Sequence, residues 1–64
     1  MTNYYVLKVI DGIYFSQFQR GGDSLVYTVN IEEAWFTPDL KAVQIMQQSL
    51  KRRYQVPTEI VIFS

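Results

Sequence analysis

A chain of 64 residues with six Lys+Arg, six Asp+Glu, no cysteine and no histidine has room for one small domain. A chain of about 60 residues buries only about 60% of the surface its unfolded form exposes. The disulfides and structural metals that usually reinforce such chains have no cysteine or histidine to work through. The zero net charge supplies no overall field to draw in nucleic acid, so stability falls to the apolar content (48%, with 16% aromatic), to local propensity, or to a partner chain.

Residues 4–10 (YYVLKVI) are aromatic and β-branched, as strand residues tend to be, and run into Asp11-Gly12. This dipeptide favours a two-residue hairpin turn, with residues 13–18 (IYFSQF) as the return strand. A regular two-residue hairpin pairs Ile10 with Ile13, Val9 with Tyr14, Leu7 with Ser16 and Tyr5 with Phe18. One face then carries Tyr5, Leu7, Val9, Tyr14, Ser16 and Phe18, and the other Tyr4, Val6, Lys8, Ile10, Ile13, Phe15 and Gln17. The first is the expected core face, because Lys8 and Gln17 are costly to bury. Gln19 to Ser24 forms a glycine-centred turn, and Leu25 to Asn30 (LVYTVN) reads as a third strand antiparallel to the second.

Ile31 to Phe36 fits either a short helical turn capped by Asn30, with Glu32 and Glu33 near its positive end, or a strand extension. The turn is favoured. Thr37 is a good N-cap, Pro38 suits the first helical position and Asp39 complements the dipole there. Leu40, Val43, Met46 (or Gln47), Leu50 and Tyr54 recur at helical spacing, and Lys51, Arg52 and Arg53 complement the helix C-terminus. Pro57 bars continuation, and Thr58 to Phe63 (TEIVIF) forms a last strand.

The pattern predicts a single α+β domain over residues 1–64, in the order β-β-β-α-β. Its mainly antiparallel four-stranded sheet has the order 4-1-2-3, with one helix on one face. A right-handed crossover would make the last strand parallel to the first.

The inventory does not favour catalysis. Ser16, Ser24, Ser49, Ser64, the threonines and the tyrosines lack an activating neighbour, and adjacent Glu32 and Glu33 would not face each other on a helix. Arg20-Gly21-Gly22-Asp23 lies between two strands, whereas a phosphate-cradling P-loop lies between a strand and a helix. No metal or cofactor is expected. Met1 to Tyr5 carries no basic leader region, and Lys8 and Asp11 break the apolar run. Neither a secretory leader nor a membrane span is therefore expected, and a cytoplasmic protein is, in keeping with the absence of cysteine.

Two binding surfaces can be named. Ten aromatics exceed what one small core can use, and such residues are enriched at interfaces. Tyr4, Val6, Ile13, Phe15, Trp35 and Phe36 form the expected protein-binding set, for an outside partner or a second copy of the chain. The terminal IVIF segment invites edge pairing if it lies at a sheet edge. The alternative is nucleic-acid binding through Lys51, Arg52 and Arg53, with Tyr54 placed to stack on a base.

The opening YYVLKVIDGIYF, the segment TVNIEEAWF, the helix start TPDLKAVQIM and the closing EIVIFS together resemble small uncharacterised proteins carried by phages and prophages of Gram-positive bacteria. The resemblance spans nearly the whole chain, through motifs that are structural rather than catalytic. It implies a cytoplasmic accessory or regulatory factor that binds a host or phage macromolecule, and it brings no catalytic residue. The helix end KRRYQVP is more basic than that pattern.

Overall fold

Gly12 closes the first turn at φ +78°, a conformation that residues with a Cβ adopt only under strain. The computed structural model describes residues 3–63, so Ser64 lies outside the described residues. β1 (Tyr4–Ile10) and β2 (Ile13–Phe18) flank the turn. β3 (Leu25–Thr28), a 3₁₀ turn (Ile31–Glu33), β4 (Phe36–Thr37), α1 (Leu40–Tyr54) and β5 (Glu59–Phe63) follow.

β1 is the centre of the sheet. Lys8 pairs with both Tyr14 and Glu59, and Val6 with both Phe36 and Val61. A strand residue has two neighbours, so β5 takes one edge of β1 while β2 and β4 share the other, end to end. The four longer strands have the expected order, β5-β1-β2-β3, with the helix packed against the sheet. The sense of the last strand differs from expectation, because β5 is antiparallel to β1. The cause is β4, an additional short strand. After β3 the chain reverses through the 3₁₀ turn and runs two residues antiparallel to β1. α1 then carries it back, so β5 enters in the opposite direction to β1.

The hairpin register also departs from the regular pattern. Ile10 faces Ile13 as expected, but Lys8, not Val9, faces Tyr14. Two steps of β1 therefore match one step of β2, leaving Val9 as the extra residue of a bulge. A one-residue slip moves every later side chain to the other face. Phe15, expected on the outer face, instead joins Leu7, Val43 and Leu50 in the buried cluster, and alternation takes Ile13 to that side with it. A second shift, between Phe15↔Tyr27 and Gln17↔Val26, leaves Ser16 extra in β2 and brings Phe18 back toward the helix. Its ring lies 5.3 Å from Phe15 and 5.7 Å from Tyr54.

Where β1 and β2 part, β4 fills the gap. The Trp35 N–H donates to the Phe15 carbonyl at 2.9 Å, the Ser16 hydroxyl to the Glu33 carbonyl at 3.2 Å, and Phe36 and Thr37 pair with Val6 and Tyr5. The 3₁₀ turn before it forms as expected, with the Asn30 side chain accepting from the Glu32 N–H at 3.0 Å.

The helix cap is Asp39 rather than Thr37, because Thr37 is held in β4 opposite Tyr5. Asp39 Oδ1 accepts from the Lys41 N–H at 2.9 Å, and the Thr37 hydroxyl accepts from the Asp39 N–H at 3.2 Å. Val43 and Leu50 are fully buried, with Met46 and Tyr54 against them, while Leu40 is exposed. Gln55 ends the helix in the left-handed region at φ +59°, where a non-glycine residue costs about 1–2 kcal/mol.

Three outcomes follow from this packing. Phe15→Ala should lose about 3–5 kcal/mol, most of the roughly 3–10 kcal/mol available to a chain of this size. Phe36→Ala should lose about 1 kcal/mol; urea titration of the two side by side checks both. Gln55→Gly should gain about 1 kcal/mol by relieving the backbone, read as a rise in the thermal midpoint.

Candidate interaction surfaces

The helix covers one side of the sheet. Directly paired strand residues point to the same side, so the pairings assign the other side from Val6 outward. Phe36 and Val61 flank Val6, Phe63 faces Tyr4, Glu59 and Tyr14 flank Lys8, and Thr28 faces Tyr14. Val6 is fully buried beneath its neighbours, Tyr4, Tyr14, Val61 and Phe63 are half-buried, and Phe36 is 55% exposed. Tyr4 and Phe36 meet edge to face, with centroids 5.1 Å apart and planes at 86°, a favoured aromatic geometry.

One ion pair crosses this surface. Lys8 Nζ lies 2.8 Å from Glu59 Oε2 and 3.6 Å from Asp11 Oδ1. The hydrogen bond to Glu59, then its charge, holds the Lys8 ammonium above its ordinary pKa of 10.5, with Asp11 adding to the effect against the opposing pull of burial. The Lys8 charge on this face is thus matched by Glu59 and Asp11.

Of the six residues expected to bind a partner, the structure brings Tyr4, Val6 and Phe36 together on this face. Phe15 is not available to a partner, because the Val9 bulge turns it into the core, and Val6 acts from below as a support. Trp35 is half-buried against the core, with its ring 6.3 Å from Phe15. Ile13 is half-buried on the helix side. Val61, Phe63 and Tyr14 belong to the open face and were missed, because their placement depends on the antiparallel sense of β5 and on the bulge. Strand alternation alone shows neither.

The second surface is the outer side of α1. The helix holds Lys41, Lys51, Arg52 and Arg53 and no carboxylate. The remaining two cations and all six carboxylates lie elsewhere, so the helix carries +4 against −4 for the rest of the chain. Among the described residues none of the four helix cations is ion-paired. A shallow trough of about 520 Å³ runs along the helix, lined by Lys41, Gln44, Ile45, Gln48, Ser49, Arg52 and Arg53. Every lining residue comes from one helix, so this is relief on a surface and not an enclosed site. Tyr54 does not join the basic residues as a free ring. Its hydroxyl donates to the Gly22 carbonyl at 2.6 Å, and the ring packs on Phe18 while Arg53 lies 6.0 Å from its centre.

Several of the polar side chains considered for chemistry are engaged within the fold, while the buried Thr58 hydroxyl has no hydrogen-bond partner among the described residues. Ser24 donates to the Gln19 side chain, and Thr28 Oγ1 lies 3.4 Å from Glu33 Oε2. In the glycine turn, the Gly22 N–H donates to the Gln19 carbonyl at 2.7 Å and is not offered to a phosphate. Among the described residues, no group of three or more Asp, Glu, His or Cys side chains is placed to hold a metal, and no helix is long and apolar enough to cross a membrane. Comparison of the chain with protein-family models, with characterised proteins and with solved structures gives no match. The resemblance to phage and prophage proteins therefore rests on the sequence motifs alone.

The Lys8–Glu59 pair yields a pH dependence with a definite sign. A cation whose pKa is higher folded than unfolded stabilises the fold below its unfolded value, and that contribution is lost as the pH rises through the folded value. The wild type should exceed Glu59→Gln in urea midpoint at neutral pH. The difference should shrink as the pH climbs above 10.5. A gap that persists unchanged there would assign the effect to packing instead.

Proposed function

We propose that this chain is a non-catalytic, cytoplasmic protein-binding module whose partner seats on the open face of the sheet around Tyr4 and Phe36. The observation that carries this reading is the uncovered aromatic pair. α1 packs on one side of β1 only, and on the other Phe36 leaves more than half its surface in water above a buried Val6. Exposed aromatics grouped over a well-packed base are the usual anchors of protein interfaces. The complementary partner surface is apolar at its centre, with polar groups where it meets Lys8 and Glu59. The resemblance to small phage and prophage proteins supports an accessory or regulatory role, exercised by occupying a surface of a host or phage protein.

Nucleic-acid binding through α1 is a second reading, and the segregation of charge favours it. Four cations on one helix, with no carboxylate among them and no ion pair among the described residues, form the kind of surface that neutralises a phosphate backbone. Lys51, Arg52 and Arg53 contribute three, and Lys41 extends the set by nearly three turns. Tyr54 would act by orienting Arg53, since its own ring and hydroxyl are engaged.

Two variants separate the readings. Phe36→Glu should abolish retention of a protein partner from a Gram-positive bacterial lysate, while Lys51→Ala/Arg52→Ala/Arg53→Ala should retain it. In low salt, fluorescence anisotropy with mixed-sequence DNA and RNA should show binding only if the second reading holds, and the triple variant should then lose it. Equal retention by wild type and Phe36→Glu, with both folded, would sink the first reading.

A further inference from the structure

β5 is an open edge. One side of it pairs with Tyr4–Lys8 of β1 through five consecutive residues without a register break, and its other side has no strand beside it among the described residues. Such an edge presents unpaired N–H and C=O groups, which proteins commonly blunt with charge, proline or a bulge. From Ile60 to Phe63 there is none of these. The single charged residue, Glu59, stands at the start of the strand and is held by Lys8.

The apolar side chains beside this edge also lack cover. Ile62 is 64% exposed and Leu40 46% exposed. The Gln47 side chain donates to the Thr58 carbonyl at 2.8 Å, so that flank of α1 overlooks the approach to β5. Leu40 lies two turns earlier on the same flank. Thr37, three residues before it, pairs with Tyr5, whose other neighbour is Ile62.

We propose that β5 pairs antiparallel with β5 of a second copy, about a two-fold axis at Val61. The sequence Ile60-Val61-Ile62 reads the same in both directions, which suits an isologous contact. Centred on Val61, each Ile60 faces the other copy's Ile62 on the helix side, so both exposed Ile62 side chains are covered at once. Val61 meets its own counterpart on the open side. The two Glu59 residues stand four strand positions apart, about 13 Å, beyond a Debye length at physiological salt. A register centred two residues earlier, on Glu59, would set the two Glu59 side chains directly opposite each other and place Val61 against Pro57, which has no N–H to donate. Pairing β5 with β3, whose outer side likewise has no strand beside it among the described residues, would join copies head to tail, and unless the rotation closed a ring would build a filament.

The pairing runs along the backbone edge of β5 and meets the open face only at its Glu59, Val61 and Phe63 rim. The protein-binding reading is centred on Tyr4 and Phe36, so different variants test the two. The pairing also has a bearing on that reading: in the paired form the two open faces lie side by side, and the module offers its partner two equivalent sites.

Sedimentation equilibrium of the wild type from micromolar to millimolar concentration should show the mean mass approaching twice the monomer's 7.5 kDa. Ile62→Lys places a charge at an exposed position and should weaken dimerisation about tenfold or more, with the circular dichroism spectrum of the monomer unchanged. Because the chain has no cysteine, Val61→Cys reports the register. Counterparts directly opposite each other approach within disulfide range, so it should cross-link on mild oxidation far faster than Phe36→Cys. A wild type that remains monomeric at millimolar concentration overturns the proposal. So does a folded Ile62→Lys that dimerises as tightly as wild type, a filament in place of a dimer, or a Phe36→Cys that cross-links as fast as Val61→Cys.

Discussion

Between Lys8 and Ile10 the hairpin matches two residues of β1 to one step of β2, and the geometry of the domain depends on that mismatch. Because side chains alternate with a period of two, the extra residue at Val9 reverses the facing of β2 relative to β1. Leu7 and Phe15 thereby reach the same side and meet α1, where a regular ladder would have placed them on opposite sides. The bulge also parts the strands beyond Tyr14, opening the position that β4 occupies. Trp35 bonds to the Phe15 carbonyl and Phe36 to the strand opposite Val6, so one local insertion creates both the core and the aromatic pair on the open face.

A domain of this size can bury few side chains completely, and here those are Val6, Leu7, Phe15, Val43 and Leu50. Four of them form the helix-side cluster, and Val6 is covered from the opposite side by strand neighbours alone. The two sides of the sheet are therefore unequal. One is sealed by a helix whose outer surface is basic; the other is closed only by half-buried tyrosines, a matched ion pair and a phenylalanine open to water. Charge and aromatic surface are thus displayed in opposite directions from the same sheet.

The elements themselves were legible from local signals. Asp11-Gly12 marked the hairpin, Asn30 the 3₁₀ turn, and the spacing of Val43, Met46, Leu50 and Tyr54 the buried side of the helix. The order of the longer strands also followed from simple hairpin and crossover rules. What escaped was set by tertiary contacts. No residue type announces the bulge at Val9, whose neighbours are ordinary strand formers. Phe36 and Thr37 are too short a segment to carry a period, so β4 passed unseen, and with it the direction of β5. Thr37 has the chemistry of a cap but is held in the sheet, leaving that role to Asp39. The open face inherits these limits: Tyr4, Val6 and Phe36 could be grouped from sequence, whereas Phe15 was misplaced and Val61 and Phe63 had no assigned side.

The pairing of β1 with β5 also has a consequence in time. A ribosome delivers residues 4–8 long before residues 59–63, and the central strand of the sheet must wait for one of its two neighbours until α1 has been made. During that interval one edge of β1 is bare, with Tyr5, Val6 and Leu7 along it, and a bare apolar edge invites pairing with other chains. The hairpin can form early and shield part of β1 through β2, but the bulge limits that shielding to the turn end. The nascent chain is thus most vulnerable at the strand that the finished domain pairs most fully. A host that shields emerging apolar segments would assist this protein chiefly over the delay between its first strand and its last.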